Sequence, residues 1–446
     1  MFVIKRIIHG ITSRLPNFVH RKLASFYNGR AIVSLFNEFG VKEVLKEIFY
    51  RKYTGKSEYN RLRKKLDLVR KKDVITVVFQ VWNISKWKSD SVYCSMKKHP
   101  RFNPVIWITD EPGASSEENI NMRLKLKSYF DSSLYTIIEA ENWDNLDKIV
   151  KPDIVFIQDH YPRYPINILS NILGRILCYV RYCYPNSLVG ESHNYFFCNY
   201  SVFAFMENES IKNEQKHMML VKDRNMVVTG HPMVDCFLSQ KQAVSSVWKE
   251  CGNKLKRIIW SPHWTINDDA CFYSSTFLKY YQFMVDIARK YQDKIQIAFK
   301  PHPTLYRLLC EHPQWGQIRT DEYYALWDNM PNSQLETGAY VDLMMQSDAM
   351  IHDCGSFILE YLLVDKPCMF LNKGEGYPHF NHTNKEALKC YSLGFSEKDI
   401  ELFIIENVLA EKDEKQEIRR EFAKQYLLPP CGKTAAENII DTILYA

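Results

Sequence analysis

From Asp73 onward, short apolar runs alternate with stretches in which apolar residues recur at helical spacing. In the first half, the runs VITVVFQVW, PVIWIT, YTIIE, IVFIQD, ILCYV and MVVTG are typical of buried strands. Between them, INMRLKLKSYF and INILSNILGR are typical of helices. Strand–helix alternation of this length predicts a parallel sheet covered by helices on both faces.

The same pattern restarts after residue 250. A charged connector, AVSSVWKECGNKLK, is predicted to be helical, and RIIWSP, IQIAFKP, AMIHD and PCMFL are the next predicted strands. STFLKYYQFMVDIARKY, YVDLMMQS and SFILEYLLV are the predicted helices between them, and residues 396–446 are helical by period. We therefore predict an α/β protein with two doubly wound, Rossmann-like domains over residues 73–240 and 250–446.

Residues 1–72 form a separate segment in which apolar residues recur at helical spacing among basic ones. The segment has 18 Lys or Arg and five acids, a net charge of +13; since the whole chain carries +6, the remainder carries −7. Amphipathic basic helices of this kind bind anionic membrane surfaces. A helical cap on the body with solvated charges is the alternative, and the two do not exclude each other.

Composition narrows the class of protein. A length of 446 residues with 46% hydrophobic and 25% charged residues is typical of a folded protein of two domains. No run of 18 apolar residues predicts a spanning helix, and the start MFVIKRIIHGITSRL lacks a cleavage site for a signal peptide. The 12 cysteines form no C-x-x-C pair, which favours reduced thiols in a cytoplasmic protein without a zinc site.

Polar residues follow three predicted strands of the second domain. Ligands of open parallel sheets bind beyond the carboxyl ends of the strands, so these residues are candidates for a binding site. RIIWSPHWT supplies the first, IQIAFKPHPTLY the next two and AMIHDCGSF the rest. In chain order, they are His263, Lys300, His302, Asp353, Gly355 and Ser356.

This set predicts a phosphate or diphosphate site. The first turn of a helix offers unpaired N–H groups, and Gly355 would let an anion approach them while Ser356 adds a hydroxyl. Lys300 and His302 would supply positive charge and a titratable donor. Glu360, one helical turn after Ser356, would accept hydrogen bonds from the hydroxyls of an attached sugar.

Each residue also has a structural explanation. Ser356 alone is as well explained as an N-cap, and Asp353 as a turn residue. A histidine between prolines, such as His302, is often structural. Several other chemistries lack their motifs: no G-x-G-x-x-G, G-x-x-x-x-G-K-[ST], H-E-x-x-H, G-x-S-x-G or D-x-D occurs. Neither a metal site nor a cofactor is predicted, and the placement of the basic charge disfavours nucleic acid.

Four segments resemble the CDP-glycerol glycerophosphotransferase family, which contains teichoic-acid and capsule polymerases and primases. They are IIWSPHWTI, STFLKYYQF, FKPHPTLY and QSDAMIHDCGSFILEYLLVDKPCMFL, in the order and spacing of that family. VVTGHPMVD resembles the segment that closes the family's first sheet. The resemblance covers roughly residues 75–385, and the pair KPHP and SD-x-x-I-x-D-x-x-S is its most specific part.

The resemblance implies a GT-B fold, in which the second of two facing Rossmann-like domains holds the nucleotide. It also implies attack by an acceptor hydroxyl on the alditol-bearing phosphate of a CDP-alditol, with CMP leaving and no metal required. His302 matches the histidine of the family's PHP segment, which is suited to stabilising the diphosphate. Asp353 and Ser356 match an Asp and a Ser of its D-Y-S-S stretch, whereas Cys354 and Gly355 depart from that stretch.

The first domain departs more from the family. Members place a W-H-G, whose His resembles a general base, where this chain has ILCYVRYCYPNS, and Tyr182 or Cys183 falls near that His. A tyrosine of ordinary pKa, about 10, is a poor base at neutral pH. His193 and His160 are the candidates for the missing base, although a structural role is the more common one for such histidines.

The leading hypothesis is a transferase that moves glycerol phosphate from a CDP-alditol to a polysaccharide or lipid-linked acceptor. It would work as a peripheral protein at the cytoplasmic face of the membrane, with its basic segment near the anionic headgroups. The alternatives are a nucleotide-sugar glycosyltransferase or epimerase of the same fold, and a catalytically silent paralogue that binds a nucleotide or a partner.

Overall fold

The computed structural model describes residues 53–111, 114–158, 171–186, 196–239, 246–251, 254–266, 275–338, 340–372 and 380–446. The chain divides into two compact units. The first contains Met1–Arg61 and Pro165–Leu173, and the second contains Leu62–Tyr164 and Gly174–Ala446. Residues 1–52, most of the predicted basic segment, lie outside the described residues, so the membrane role of that segment stays a prediction. Both sheets belong to the second unit.

The first sheet has seven parallel strands in the order β3-β2-β1-β4-β5-β6-β7. β1 and β2 form its longest ladder, in which Val78 lies opposite Val105. Near-continuous burial along these strands explains their unbroken apolar runs, because helices cover both faces. The strands are β1 (Ile75–Val81), β2 (Phe102–Ile108), β3 (Ile137–Ile138), β4 (Ile154–Ile157), β5 (Ile176–Val180), β6 (Phe203–Met206) and β7 (Met226–Val228).

The helices of this part alternate with the strands. Several begin at an Asn or Ser whose side chain accepts a hydrogen bond from the first turn; Ser115 with Glu118 forms a full capping box. A single 3-10 turn, Ile84–Lys86, follows β1. The α-helices are Lys56–Val69, Asp90–Lys98, Ser116–Tyr129, Trp143–Ile149, Phe196–Tyr200, Glu209–Gln215 and Pro232–Ser239. We call the first sheet and its helices from Leu62 to Ser239 the first lobe.

The second sheet has six parallel strands in the order β10-β9-β8-β11-β12-β13. The strands are β8 (Lys256–Ser261), β9 (Ile295–Phe299), β10 (Ser333–Leu335), β11 (Ala349–His352), β12 (Cys368–Leu371) and β13 (Ser392–Gly394). Both orders reverse direction at the first strand of their sheet, which is the doubly wound arrangement. The predicted α/β class with two parallel sheets is confirmed. We call the second sheet and its helices the second lobe.

Helices and irregular turns complete the second lobe. The α-helices are Phe277–Lys290, Pro303–Glu311, Gly316–Asn329, Val341–Met345, Phe357–Glu360, His382–Leu388, Glu397–Phe403, Gln416–Phe422 and Ala435–Tyr445. The predicted continuous helix over residues 396–446 is interrupted by two π-helical turns, Ile404–Leu409 and Ala423–Leu427, and by the 3-10 turn Pro430–Gly432. A 3-10 turn, Tyr361–Val364, also extends Phe357–Glu360.

Aromatic side chains fill the core of the second lobe. Trp260 stacks on Phe299 with ring centroids 4.9 Å apart and lies 5.4 Å from the ring of Trp327. All three are buried. The high aromatic content of the chain is therefore used for packing, and this core fixes strands β8 and β9, whose ends carry candidate residues.

The connector between the sheets differs from the prediction. Its described residues, 246–251, are not helical. Trp248 is buried and donates from its indole N–H to the Leu343 carbonyl at 3.2 Å. The Lys249 N–H donates to the Gln334 side chain at 2.7 Å. Hydrogen bonds to distant segments therefore replace the bonds of the predicted helix.

The last helix, Ala435–Tyr445, returns to the first lobe and packs against Asp90–Lys98 and Pro232–Ser239. Asp235 caps it: its two carboxylate oxygens accept from the N–H groups of Ala435 and Ala436 at 2.8 and 2.9 Å. Gly230 precedes this contact with φ +82°, and a Cβ at that position would lie 2.7 Å from Pro429. The VVTGHPMVD segment therefore joins the end of the chain to the first lobe.

Candidate active site

Three neighbouring strands of the second sheet deliver the predicted residues to one place. β9, β8 and β11 are adjacent, and their carboxyl ends are followed by His302, His263 and Asp353. The imidazole rings of His263 and His302 have centroids 5.2 Å apart. The structure thus brings together residues that are 90 positions apart in the chain.

His302 is the N-cap of helix Pro303–Glu311. The ring Nδ1 of His302 accepts from the backbone N–H of Thr304 at 3.1 Å. The backbone N–H of His302 donates to the Pro262 carbonyl at 3.0 Å. Because Nδ1 is an acceptor, the proton of the neutral ring lies on Nε2. Burial, and then the nearby Lys300 charge, lowers the pKa of His302 to about 4. At neutral pH the ring therefore offers an uncharged Nε2–H donor.

His263 supplies a second neutral imidazole. Its Nδ1 lies 2.9 Å from the Thr265 hydroxyl oxygen. Burial, followed by the influence of His302, lowers the pKa of His263 to about 3. Two imidazoles at the ends of adjacent strands can thus act as hydrogen-bonding groups without adding positive charge.

Asp353 is buried, and both oxygens of its carboxylate accept hydrogen bonds from other residues of the chain. One carboxylate oxygen accepts from the backbone N–H of His263 at 2.5 Å. The other accepts from the Thr276 hydroxyl at 2.7 Å and from the backbone N–H of Thr276. The carboxylate therefore holds the loop after β8 against the start of helix Phe277–Lys290. This geometry favours a positioning role, and a contact of Asp353 with the donor stays a prediction.

Lys300 places a buried cation at the same edge of the sheet. Its side chain is only 6% exposed, and its ammonium donates to the Gly338 carbonyl at 2.9 Å. Burial lowers the pKa of Lys300 to about 8, while Glu336 opposes the shift. The ammonium is therefore mostly charged at pH 7 and incompletely solvated, which suits the binding of an anion.

The helix after Ser356 is shorter than predicted. Its α-helical part, Phe357–Glu360, is a single turn, and the Ser356 side chain forms no capping bond. Its hydroxyl lies 3.2 Å from the Cys354 sulfur. A dipole from one turn is small, so the predicted anion seat depends more on Lys300 and His302 than on this helix.

Gly355 is approached by the first lobe. A Cβ at this position would lie 2.4 Å from the side-chain nitrogen of Asn186. Asn186 belongs to the segment after β5, and its carbonyl accepts from the Asn381 N–H at 3.1 Å. A phosphate would reach the backbone of Gly355 only if this amide moved, and the donor role of Gly355 stays a prediction.

Glu360 is 1% exposed, and burial raises its pKa to about 7. Lys88 from the first lobe and the Tyr340 hydroxyl oppose that shift. Its Oε2 has no hydrogen-bond partner among the residues that the structure describes. Sequence analysis found Glu360 but missed Lys88 and Tyr340. The sequence did contain a signal for Lys88. This lysine lies in SKWKS, which follows strand β1 in the same way as KPHP, with Lys300, follows strand β9.

Two described residues near the position where the resemblance predicts a base, Cys183 and His231, are poor proton acceptors. Burial, followed by the charge of Glu360, raises the pKa of Cys183 to about 12. His231 is near in sequence to β7, but its Nδ1 accepts from Met233 N–H and its Nε2 lies 3.0 Å from the Arg181 carbonyl. The two predicted bases, His160 and His193, lie outside the described residues.

The described ranges can also be examined for groups of metal ligands and for membrane-spanning helices. Within them, no three His, Cys, Asp or Glu side chains are grouped as metal ligands. No helix there has the length and apolar character needed to cross a bilayer.

Comparison with known proteins identifies the relatives of this site. Residues 186–444 match the family model for CDP-glycerol:poly(glycerophosphate) glycerophosphotransferase. No curated protein sequence matches the chain. The matched range contains the second lobe and every site residue named above from Lys300 to Glu360.

Among solved structures, a variant of the wall teichoic acid polymerase TagF is 14% identical, with a TM-score of 0.54 over 91% of this chain and 97% of that one. UDP-GlcNAc 2-epimerase from Neisseria meningitidis, bound to UDP-GlcNAc, is 15% identical, with a TM-score of 0.54 over 83% of this chain and 100% of that one. At these identities the similarity shows the fold alone, and both the polymerase and the epimerase share it.

Proposed function

Because the chain belongs to the CDP-glycerol:poly(glycerophosphate) glycerophosphotransferase family, we propose that it transfers glycerol phosphate from a CDP-alditol to an acceptor hydroxyl. The acceptor would be a cell-surface polymer or a lipid-linked precursor, and CMP would be released. The observation that carries the proposal is the convergence of His263, Lys300 and His302 at the ends of β8 and β9.

In the proposed reaction, an acceptor oxygen forms a bond to the glycerol-bearing phosphorus. The bond from that phosphorus to the bridging oxygen breaks, and CMP leaves with the electron pair. The Nε2–H of His302 and the ammonium of Lys300 would stabilise the negative charge that grows on the leaving phosphate. These protein groups, and no metal ion, carry the charge in this proposal.

The acceptor proton passes to a base, for which His193 and His160 are the proposed residues. A hydroxyl needs such an acceptor because its own pKa is far above neutral. The described residues near the expected position favour neither Cys183 nor His231, given their burial and bonding. Alanine at whichever of the two histidines is the base should lower turnover without lowering the affinity for the donor, and alanine at the other should not.

We also propose that the reaction takes place at the cytoplasmic face of the membrane. The net charge of +13 over residues 1–72 supports this, since a lipid-linked acceptor lies among anionic headgroups. Binding of the full chain to anionic vesicles, and its loss at high salt, would be the expected result. Equal binding to neutral vesicles would contradict it.

Ligand-dependent thermal stability tests the proposed donor. Melting would be measured with CDP-glycerol, CDP-ribitol, UDP-GlcNAc and a CMP-linked sugar, each in excess over the protein. We expect the largest shift with a CDP-alditol, and CMP release when an acceptor is added. A shift with UDP-GlcNAc alone would favour the epimerase alternative, and binding without CMP release would favour a silent paralogue.

A further inference from the structure

A lysine from each lobe lies against the same aromatic ring. The ammonium of Lys88, in the loop after β1, is 4.7 Å from the centroid of Tyr340 and 3.1 Å from its hydroxyl oxygen. The ammonium of Lys300, at the end of β9, is 5.6 Å from the same centroid. The first lobe thus adds a second cation to the edge of the sheet where the predicted phosphate residues lie.

Two carboxylates attract the lysines of this cluster, Glu360 acting on Lys88 and Glu336 on Lys300. Neither Lys88 nor Lys300 forms an ion pair in the described part of the chain. Glu360 is a buried group with a raised pKa, and Glu336 accepts a hydrogen bond from the backbone N–H of Gly338. The imidazoles of His263 and His302 are neutral, so they add no charge to the cluster.

The two ammonium groups destabilise each other in this setting. Burial is the largest cause of the lowered pKa of both lysines, and the charge of Lys88 lowers the pKa of Lys300 further. Two partly desolvated cations are unfavourable in a protein interior without a compensating negative group. An anion between the lobes would supply that compensation.

We propose that Lys88 binds the diphosphate of the nucleotide donor together with Lys300, so that both lobes build the phosphate site. The inference rests on the proposed function, because it takes the donor to be a nucleoside diphosphate. On binding, the Lys88 ammonium exchanges the Tyr340 hydroxyl for a phosphate oxygen, and Tyr340 remains beside Glu360. Lys88 is thereby the residue through which the first lobe contacts the bound donor.

The loop after β1 offers a matched control. Lys86 lies two residues before Lys88, but its ammonium pairs with Glu111 at 2.7 Å and does not contact Tyr340. Lys88→Met and Lys86→Met each remove one charge and keep most of the aliphatic side chain. Only the first removes a cation from the proposed phosphate site.

The experiment is calorimetric titration of CDP-glycerol and of CMP into the wild-type chain and both variants, at low and high salt. We expect Lys88→Met to weaken CDP-glycerol binding by about 10- to 100-fold, the range for a hydrogen bond to a charged group. CMP, with one phosphate, should lose less. Lys86→Met should bind CDP-glycerol within about twofold of wild type, and Lys88→Met should reduce the salt dependence.

A second variant separates a phosphate ligand from a simple link between the lobes. Tyr340→Phe removes the hydroxyl partner of Lys88 and keeps its charge and the ring. If Lys88 binds phosphate, Tyr340→Phe binds CDP-glycerol as well as wild type or better. If Lys88 only joins the lobes, both variants lower the melting temperature of the protein alone and leave donor affinity within twofold, which overturns the proposal.

The outcomes also separate this inference from the proposed function. A wild-type chain that binds CDP-glycerol while Lys88→Met binds it equally well overturns only the role of Lys88. A wild-type chain that binds no CDP-alditol overturns the proposed function, and the role of Lys88 falls with it.

Discussion

At the scale of single residues, His302 has two separable roles. Its Nδ1 caps a helix, and this bond leaves the proton of the neutral ring on Nε2. We predict that His302→Ala abolishes turnover and lowers the free energy of unfolding by about 1 kcal/mol, the usual effect of losing an N-cap. His302→Asn should also abolish turnover but keep the stability, because asparagine is a good N-cap without an Nε2 donor.

Measurement of CMP release and of urea unfolding for both variants checks this pair. The contrast between them is the informative result, since a purely structural histidine would be replaced by asparagine without loss of activity. Wild-type turnover in His302→Asn would therefore contradict the assignment of His302 to the diphosphate.

Glu360 makes stability depend on pH. Its pKa is raised from 4.5 to about 7 in the folded protein, so between these values the folded state binds more protons than the unfolded state. Stability from this residue is present below pH 4.5 and is lost as pH rises toward 7, by roughly 3 kcal/mol at most. Glu360→Gln does not titrate and should lack this loss.

Unfolding of both proteins by urea between pH 4.5 and 7.5 measures the effect. The difference in stability between Glu360→Gln and wild type should move in favour of the variant as pH rises. The Cys183 thiol, with a pKa raised to about 12, titrates outside this range. A difference that stays constant with pH would mean that Glu360 is ionised in both states.

At the scale of elements, strands with clear apolar runs were predicted, including the short β3 and β7, whereas β6, β10 and β13 were missed. β1, β8 and β9 are apolar runs with clear ends, because both faces of a parallel sheet are covered. β10 (SQL) and β13 (SLG) have one apolar side chain each, so they form no apolar run to detect. β6 follows the helix Phe196–Tyr200 after only two residues, in the aromatic-rich stretch FFCNYSVFAFM, where no Gly or Pro separates the two elements.

The residues of the candidate site likewise include some that the sequence predicted and some that it missed. His263, Lys300 and His302 were predictable because polar residues after buried strands gather at one edge of a sheet. Lys88 was missed although SKWKS after β1 gave a signal for it, and Asn186 had no signal, since its position depends on how the two lobes meet. That contact is set by tertiary packing between distant segments, which no local pattern contains.

The turn before helix Phe357–Glu360 depends on such a contact. Gly355 has an ordinary φ, so alanine is compatible with its backbone, but its Cβ would displace the Asn186 amide. We predict that Gly355→Ala lowers the free energy of unfolding by up to about 1 kcal/mol, since Asn186 is flexible and can move. In an Asn186→Ala background the same change should have almost no effect.

A double-mutant cycle from thermal unfolding measures this coupling. Equal effects of Gly355→Ala in both backgrounds would show that Asn186 is not the reason for the glycine. In that case the freedom of its backbone to receive a ligand would be the better explanation of Gly355.

At the scale of the whole molecule, the two lobes are joined at separate places. Segment 184–186 of the first lobe bonds to the second lobe through Asn381, whose side chain donates to the Pro185 carbonyl at 2.5 Å. The terminal helix Ala435–Tyr445 crosses back to the first lobe. The cleft residues Lys88 and Tyr340 lie between lobes that other contacts already hold together, which fixes the geometry in which they meet.

Asp235 tests how much the returning helix contributes. Its buried carboxylate accepts from the N–H groups of both Ala435 and Ala436, whereas Asp441 on the same helix pairs with the exposed Lys433 at 2.6 Å. In Asp235→Asn, the amide NH2 faces one of those donors, and we predict a loss of about 1–3 kcal/mol in the free energy of unfolding. Asp441→Asn, the matched control, should change it by less than about 1 kcal/mol, as for exposed ion pairs.

Urea unfolding of Asp235→Asn and Asp441→Asn checks this contrast in stability. Titration with the donor shows whether the candidate site depends on the cap of the terminal helix. Equal stability of Asp235→Asn and Asp441→Asn would show that the terminal helix is held by its apolar face alone, because packing would then compensate for the lost cap.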